Sequence, residues 1–133
     1  MTLELPDRFT DEERFVLENG SIAPTVVETT ADQLARITTA VDSMSRTNRY
    51  PVTVQDGAFC LDLDDGRGTW VSDRLSGTVN GPDVRNEYGE AFARLVAAVR
   101  GPVVVQTGQG QPLVVVQERE HFTLRYLVVP RDW

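Results

Sequence analysis

Hydrophobic positions recur along the chain with two periods, and the change from one to the other marks the elements. The stretch 25–29, TVVET, alternates as a strand does. Thr30 and Gln33 then form a capping box that opens ADQLARITTAVDSMSR. In that segment Leu34, Ile37, Val41 and Met44 recur at spacings of three and four, which predicts a helix with one buried stripe. PVTVQDGAFCLDLDDG reads as two alternating runs joined at Asp56-Gly57, a strong hairpin signal. Asp65-Gly66-Arg67-Gly68 turns into another strand, TWVSDRL, and SGTVNGPD reads as turn material. A second amphipathic helix is expected from about Asp83 to Arg100, with Tyr88, Phe92, Leu95 and Val99 on its stripe and Gly101-Pro102 as its stop. PVVVQT, PLVVVQE and FTLRYLVV complete the chain as three strands.

Upstream, LELP is a short apolar patch ended by Pro6. Thr10 and Glu13 form another capping box, opening a short helix that Gly20 stops. The expectation is therefore an N-terminal segment over 1–24 and one domain over 25–133. The order in that domain is β-α-β-β-β-α-β-β-β. Hairpin connections make the sheet mostly antiparallel, and both helices are expected on one face of it, an α+β arrangement.

Composition narrows the function classes. The 133 residues suit one domain that buries roughly two-thirds of its unfolded surface without a staple. One cysteine, Cys60, excludes an intrachain disulfide framework, and one histidine, His121, excludes a His/Cys metal cluster. No apolar run approaches the roughly 20 residues of a membrane helix. The acidic N-terminus has the wrong charge for a targeting peptide, so a cytoplasmic location is expected. All 13 basic residues are arginine, against 20 acidic ones, for a net charge of −7. Arginine-only usage and acidity suit a GC-rich coding sequence and a salt-adapted host, such as a halophilic archaeon or its virus; a GC-rich actinobacterium also accounts for much of it. Such a chain repels nucleic acid unless its arginines are gathered on one face.

Three stretches, PTVVETTADQLARITTAVDSM, DGAFCLDL followed by GTWVSD, and PLVVVQEREHFTLRYLVVPRDW, resemble one domain of the PCNA-type DNA sliding clamps. The last resembles the closing strands of that family's C-terminal domain most. The resemblance covers about residues 25–133. It implies a sliding-clamp-like domain that self-assembles into a ring around duplex DNA as a processivity factor, tethers replication or repair proteins by clamp-binding peptides, and needs no cofactor. PCNA chains carry two such domains and close as trimers, so a ring of this single domain implies six copies. The family's interdomain linker is missing here, and SGTVNGPDVRNE is shorter than its counterpart.

By the same resemblance, Arg36, Arg46, Arg94 and Arg100 are the DNA-facing cations. Their bland alternative is a solvated helix face, with cations favouring the helix C-termini. Met44, Pro112, Leu127, Val129 and Pro130 are the implied partner-peptide pocket, against the alternative of core and strand stop. The implied subunit contact pairs the strand of Trp70 and Arg74 with that of Phe122, Leu124 and Arg125. Neither strand is blunted by lysine or internal proline. Trp70 is expected either as the apolar anchor of that contact or as core.

Catalytic chemistry has little support. Asp62, Asp64 and Asp65 depart from calcium-loop spacing and lack the closing glutamate, which favours a strand end and a turn. Cys60 reads as structural, His121 sits in a charged turn with no nucleophile nearby, and TGQGQP lacks the lysine and helix of a phosphate loop. The runner-up is a clamp-fold adaptor or viral protein that binds or mimics a host clamp without encircling DNA.

Overall fold

The structure is a computed structural model that describes residues 23–44 and 49–131. The expected helix within 1–24 lies outside the described residues. Eleven elements follow in order: β1 (Thr25–Thr30), α1 (Ala31–Ser43), β2 (Tyr50–Gln55), β3 (Ala58–Asp64), β4 (Trp70–Arg74), β5 (Thr78–Asn80), β6 (Val84–Tyr88), α2 (Glu90–Ala98), β7 (Pro102–Thr107), β8 (Leu113–Glu118) and β9 (Thr123–Val128). The two helices pack on antiparallel strands in one α+β domain, as expected. The strands form two sheets, however: a five-stranded one ordered β5-β1-β7-β8-β9 and a four-stranded one ordered β4-β3-β2-β6. Helix α1 rests on β1, β2 and β3, and α2 rests on β2 and β9, so the helix pair closes one core over both sheets.

Local chemistry accounts for most boundaries. Thr30 Oγ1 accepts from Gln33 N at 3.4 Å, which is one half of the capping box. The Gln33 amide oxygen is used elsewhere, accepting from Ser76 N at 2.8 Å. Leu34, Ile37 and Val41 of the predicted stripe are buried. Asp56 (φ 53°) and Gly57 (φ 76°) are both left-handed, the pair a tight hairpin turn requires. Asp64 Oδ1 accepts from Gly66 N at 2.8 Å, and Asp65 Oδ1 accepts from Arg67 N at 2.7 Å and Thr69 N at 3.1 Å. These two carboxylates therefore serve the turn.

Two further expectations are corrected. The long second helix is a strand followed by a shorter helix. Val84, Asn86 and Tyr88 alternate inward, β6 pairs with β2, and α2 begins after Gly89. Spacings of four from Val84 to Tyr88 to Phe92 satisfy a helical stripe, but a two-residue alternation satisfies the first of them equally. Within the expected turn SGTVNGPD, Thr78–Asn80 pairs with β1. Gly81, at φ 123°, lets the chain pass against Pro24 and Thr25, where a Cβ would overlap the Pro24 carbonyl oxygen.

Candidate assembly interface

Two sheets leave four edges, and the chain treats them unequally. The β6 edge is covered. Gln109 takes the place of a strand partner: its Nε2 donates to Arg85 O and its Oε1 accepts from Arg85 N, both at 2.9 Å. Further along, Pro130 bridges to Tyr88, and Arg131 N donates to Glu87 O at 2.8 Å. A buried network anchors this cover. The Tyr88 hydroxyl, at the centre of it, lies 3.1 Å from Asn86 Nδ2, from Thr107 Oγ1 and from Gln111 O. Asn86 Oδ1 accepts from Gly110 N at 2.9 Å, and its Nδ2 donates to Gly108 O at 2.8 Å. The β7–β8 turn is thereby fixed across the gap between the sheets. Burial pushes the Tyr88 phenol above its ordinary value, partly offset by the hydrogen bonds from Thr107 and Asn86. Tyr50 is also raised, first by burial and then by the Asp42 carboxylate 3.4 Å away.

The β5 edge is only three residues long. That leaves β4 and β9, each paired with one strand and with no partner strand on its other side among the described residues. The two largest exposed apolar side chains mark them. Trp70, at the start of β4, is 70% exposed, and Phe122, one residue before β9, is 58% exposed. Trp70 is thus no core residue. It faces away from the helices together with Ser72 and Arg74, because Val71 and Asp73 take the helix side. On β9, Leu124 and Tyr126 are half-buried and Arg125 is exposed. All five residues expected at a subunit contact therefore lie on or beside the two open edges.

The arginines expected to face DNA divide differently. Arg36 forms an ion pair with Asp73 of β4 and lies 3.4 Å from Gln33 Oε1. Its charge is matched within the chain, and a half-exposed pair of this kind contributes ~0.2–1 kcal/mol. Arg100 donates to Ala97 O at 2.8 Å and Val99 O at 2.7 Å, so it caps the carbonyl end of α2. Arg94 is exposed and has no ion-pair partner among the described residues. Arg46 lies outside them.

The residues expected to form a peptide pocket do not share one cavity. Met44 lines a cleft of about 230 Å³ with Val41, Pro51 and Leu63, rimmed by Arg49 and Glu87. Leu127 lines a separate groove between α2 and β9. Pro112 is buried, with its carbonyl accepting from Thr107 Oγ1 at 3.2 Å. Val129 is 37% exposed beside the half-buried Pro130. Gln109, Asn86 and Tyr88, which decide which edge is closed, carry no sequence signal beyond the glycines around Gln109. No group of acidic, histidine and cysteine residues suited to a metal ion occurs among the described residues, and no described helix is long and apolar enough to cross a membrane.

No protein-family model matches the chain, and no curated protein matches it. Solved structures do. A protein described as a DNA polymerase III beta subunit from Eubacterium rectale superposes with a TM-score of 0.71 at 12% identity, over 97% of this chain and 35% of that one. DNA polymerase III subunit beta from Borrelia burgdorferi, in complex with a natural product, superposes with a TM-score of 0.62 at 19% identity, over 85% of this chain and 32% of that one. The chain spans about a third of the length of either. At these identities the likeness shows the fold, which is that of a sliding-clamp domain.

Proposed function

We propose that this chain is a non-catalytic sliding-clamp-like protein whose copies join head to tail, β4 of one against β9 of the next, into a ring around duplex DNA. On its outside the ring tethers replication or repair proteins. The observation that carries this reading is the pair of uncovered edges, each marked by an exposed aromatic, in a domain of sliding-clamp fold. An uncovered edge is a template for pairing with another chain. Two different edges give a heterologous contact, which closes into a ring when the rotation allows it. A ring made of this domain alone takes six copies. The closing words PLVVVQ and YLVVP support a PCNA-type version of the reading. Val129 and Pro130, with Pro112 next to the Leu113–Val128 pair across the β8–β9 ladder, are the proposed docking place for client peptides; Leu127 lines the groove between α2 and β9 and Met44 another cleft, and both drop out.

A second reading has its own support. With a net charge of −7, Arg36 matched by Asp73 and Arg100 spent on α2, an adaptor that binds a partner clamp without encircling DNA fits the helix face. Native mass by light scattering, at low and at molar salt, separates the two. The ring reading expects a mass near six copies, and retention on circular DNA that is lost when the DNA is linearised. A monomer or dimer at every salt and concentration refutes the self-made ring and leaves the adaptor.

A further inference from the structure

We propose that Arg94 is a subunit-contact residue rather than a DNA-facing one: the groove between α2 and the open edge of β9 receives the β4 edge of a second copy, and Arg94 there meets that copy's Asp73. This inference rests on the self-assembly proposed above and assigns the residues that would select the partner.

The groove has a volume of about 370 Å³ and lies between one face of α2 and Arg125–Val128. Its floor is apolar, with Ala91, Leu95 and Ala98 on the helix side. Its two charged residues are both cations, both exposed, and both without an ion-pair partner among the described residues; Arg94 stands on the helix side, whereas Arg125 alternates with Tyr126 and points to the other face of β9. An apolar floor with an unmatched cation, Arg94, beside an open strand calls for an extended segment that carries a carboxylate.

The β4 edge supplies one. Asp73 lies on the helix side of its sheet, since Arg36 of α1 reaches it. Its other carboxylate oxygen accepts from Arg74 N at 2.8 Å. Leu75 N donates inward to Phe59 O at 2.9 Å, so by strand alternation Arg74 N points to the open edge. In the free chain, then, Asp73 occupies an edge donor that a neighbouring strand would need. Pairing with β9 gives Arg74 N a backbone carbonyl and releases that carboxylate oxygen on the helix side. A sheet continued across two copies keeps its faces, so the helix side of β4 adjoins the helix side of β9, where Tyr126 packs toward the core and Arg94 stands beside it. On the opposite face Arg125 comes to the side of Trp70, an arrangement that favours a guanidinium over an aromatic ring.

Charge exchange tests this. Each copy has one β4 edge and one β9 edge, so Arg94→Glu spoils one side of the contact and Asp73→Arg spoils the other. Sedimentation velocity at low salt is expected to show each variant alone assembling with a Kd raised about tenfold or more. An equimolar mixture is expected to regain the wild-type mass, because the carboxylate introduced at position 94 then meets the guanidinium introduced at position 73 at alternate contacts. A mixture as weak as its components, or an Arg94→Glu variant that assembles like wild type, overturns the inference while the ring stands. Wild type that stays monomeric overturns the ring and the inference together. If thermal melting shows that Asp73→Arg is unfolded, a double-mutant cycle with Arg94→Gln and Asp73→Asn replaces it, and zero coupling overturns the inference.

Discussion

Truncating Trp70 separates folding from assembly because the side chain touches so little of its own domain. A whole tryptophan presents about 250 Å², so at 70% exposure roughly 170 Å² remains for a partner to cover. Full burial of that area is worth about 4 kcal/mol at ~25 cal/mol per Å². Ordering the ring on association removes about 1 kcal/mol, and alanine keeps part of the contact. Trp70→Ala is therefore expected to cost about 2–3 kcal/mol of association, or roughly 30- to 150-fold in Kd. The same substitution removes few contacts within the domain, so folding stability should change by no more than about 0.5 kcal/mol. Sedimentation equilibrium over a dilution series measures the first quantity and thermal melting of the dilute protein the second. An unchanged Kd refutes the reasoning, because it means that the most exposed apolar residue on β4 stays in water in the assembly. A large loss of melting temperature in the dilute protein refutes it as well, since Trp70 would then be supporting the fold.

Three further outcomes test the interior. Tyr88→Phe removes the hydroxyl shared by Asn86, Thr107 and Gln111; Asn86 and Thr107 keep other partners, so the expected loss is about 1–2 kcal/mol, read as a melting temperature lower by several degrees. The phenols of Tyr50 and Tyr88 are raised above 10.0, so the native state holds these protons more tightly than the unfolded state; stability is full below about pH 10 and falls as pH climbs through the raised values, and melts that stay flat from about pH 9 to 12 contradict it. Gly81→Ala forces a residue at φ 123° to place its Cβ 2.7 Å from Thr25 Cα and in overlap with the Pro24 carbonyl, which should cost roughly 3 kcal/mol in a denaturant titration. A loss under about 0.5 kcal/mol there would mean that β1 and the Gly81 turn do not approach as described.

How much of this was legible in the sequence depended on the range of the interaction. Helix α1 was, because its cap and its stripe are close together in the chain and no alternative period fits them. The β2–β3 hairpin was, because Asp56-Gly57 is among the few pairs that accept two left-handed residues in succession. β6 was not, since Val84 and Tyr88 fit a helical stripe as well as a strand and only Gly89 argues for a break. The division into two sheets was also hidden: β1 pairs with β5 and β7, both far along the chain, and nothing local distinguishes that from a neighbouring hairpin. At the candidate site the two edge strands were implied by the resemblance to the clamp family, and their sequence, without lysine or internal proline, agreed with it. Which edges stay open was not, because the closure of β6 depends on Gln109 and on the chain after β9. The engagement of Arg36 was equally out of reach, its partner standing 37 residues on.

The charge arrangement bears on how DNA would be held. Affinity for a phosphate backbone comes from cations that can release counterions, and each one already matched contributes less. Of the three described arginines assigned to the DNA side by resemblance, one faces Asp73 and one faces the carbonyls that end α2. On the proposed assembly the third is drawn to the contact between copies. Among the described residues little remains on the helix face to attract DNA, and the net charge opposes it. A ring does not need that attraction, because a closed contact retains DNA by topology and a weakly attractive lining leaves it free to slide. Retention must then follow the integrity of the ring contact. Arg94→Glu should abolish retention on circular DNA together with assembly, and the equimolar mixture with Asp73→Arg should restore both, although the mixture carries the same net charge as wild type. A cation that acted on DNA directly would give retention that falls with each Arg94 lost, whatever Asp73 becomes.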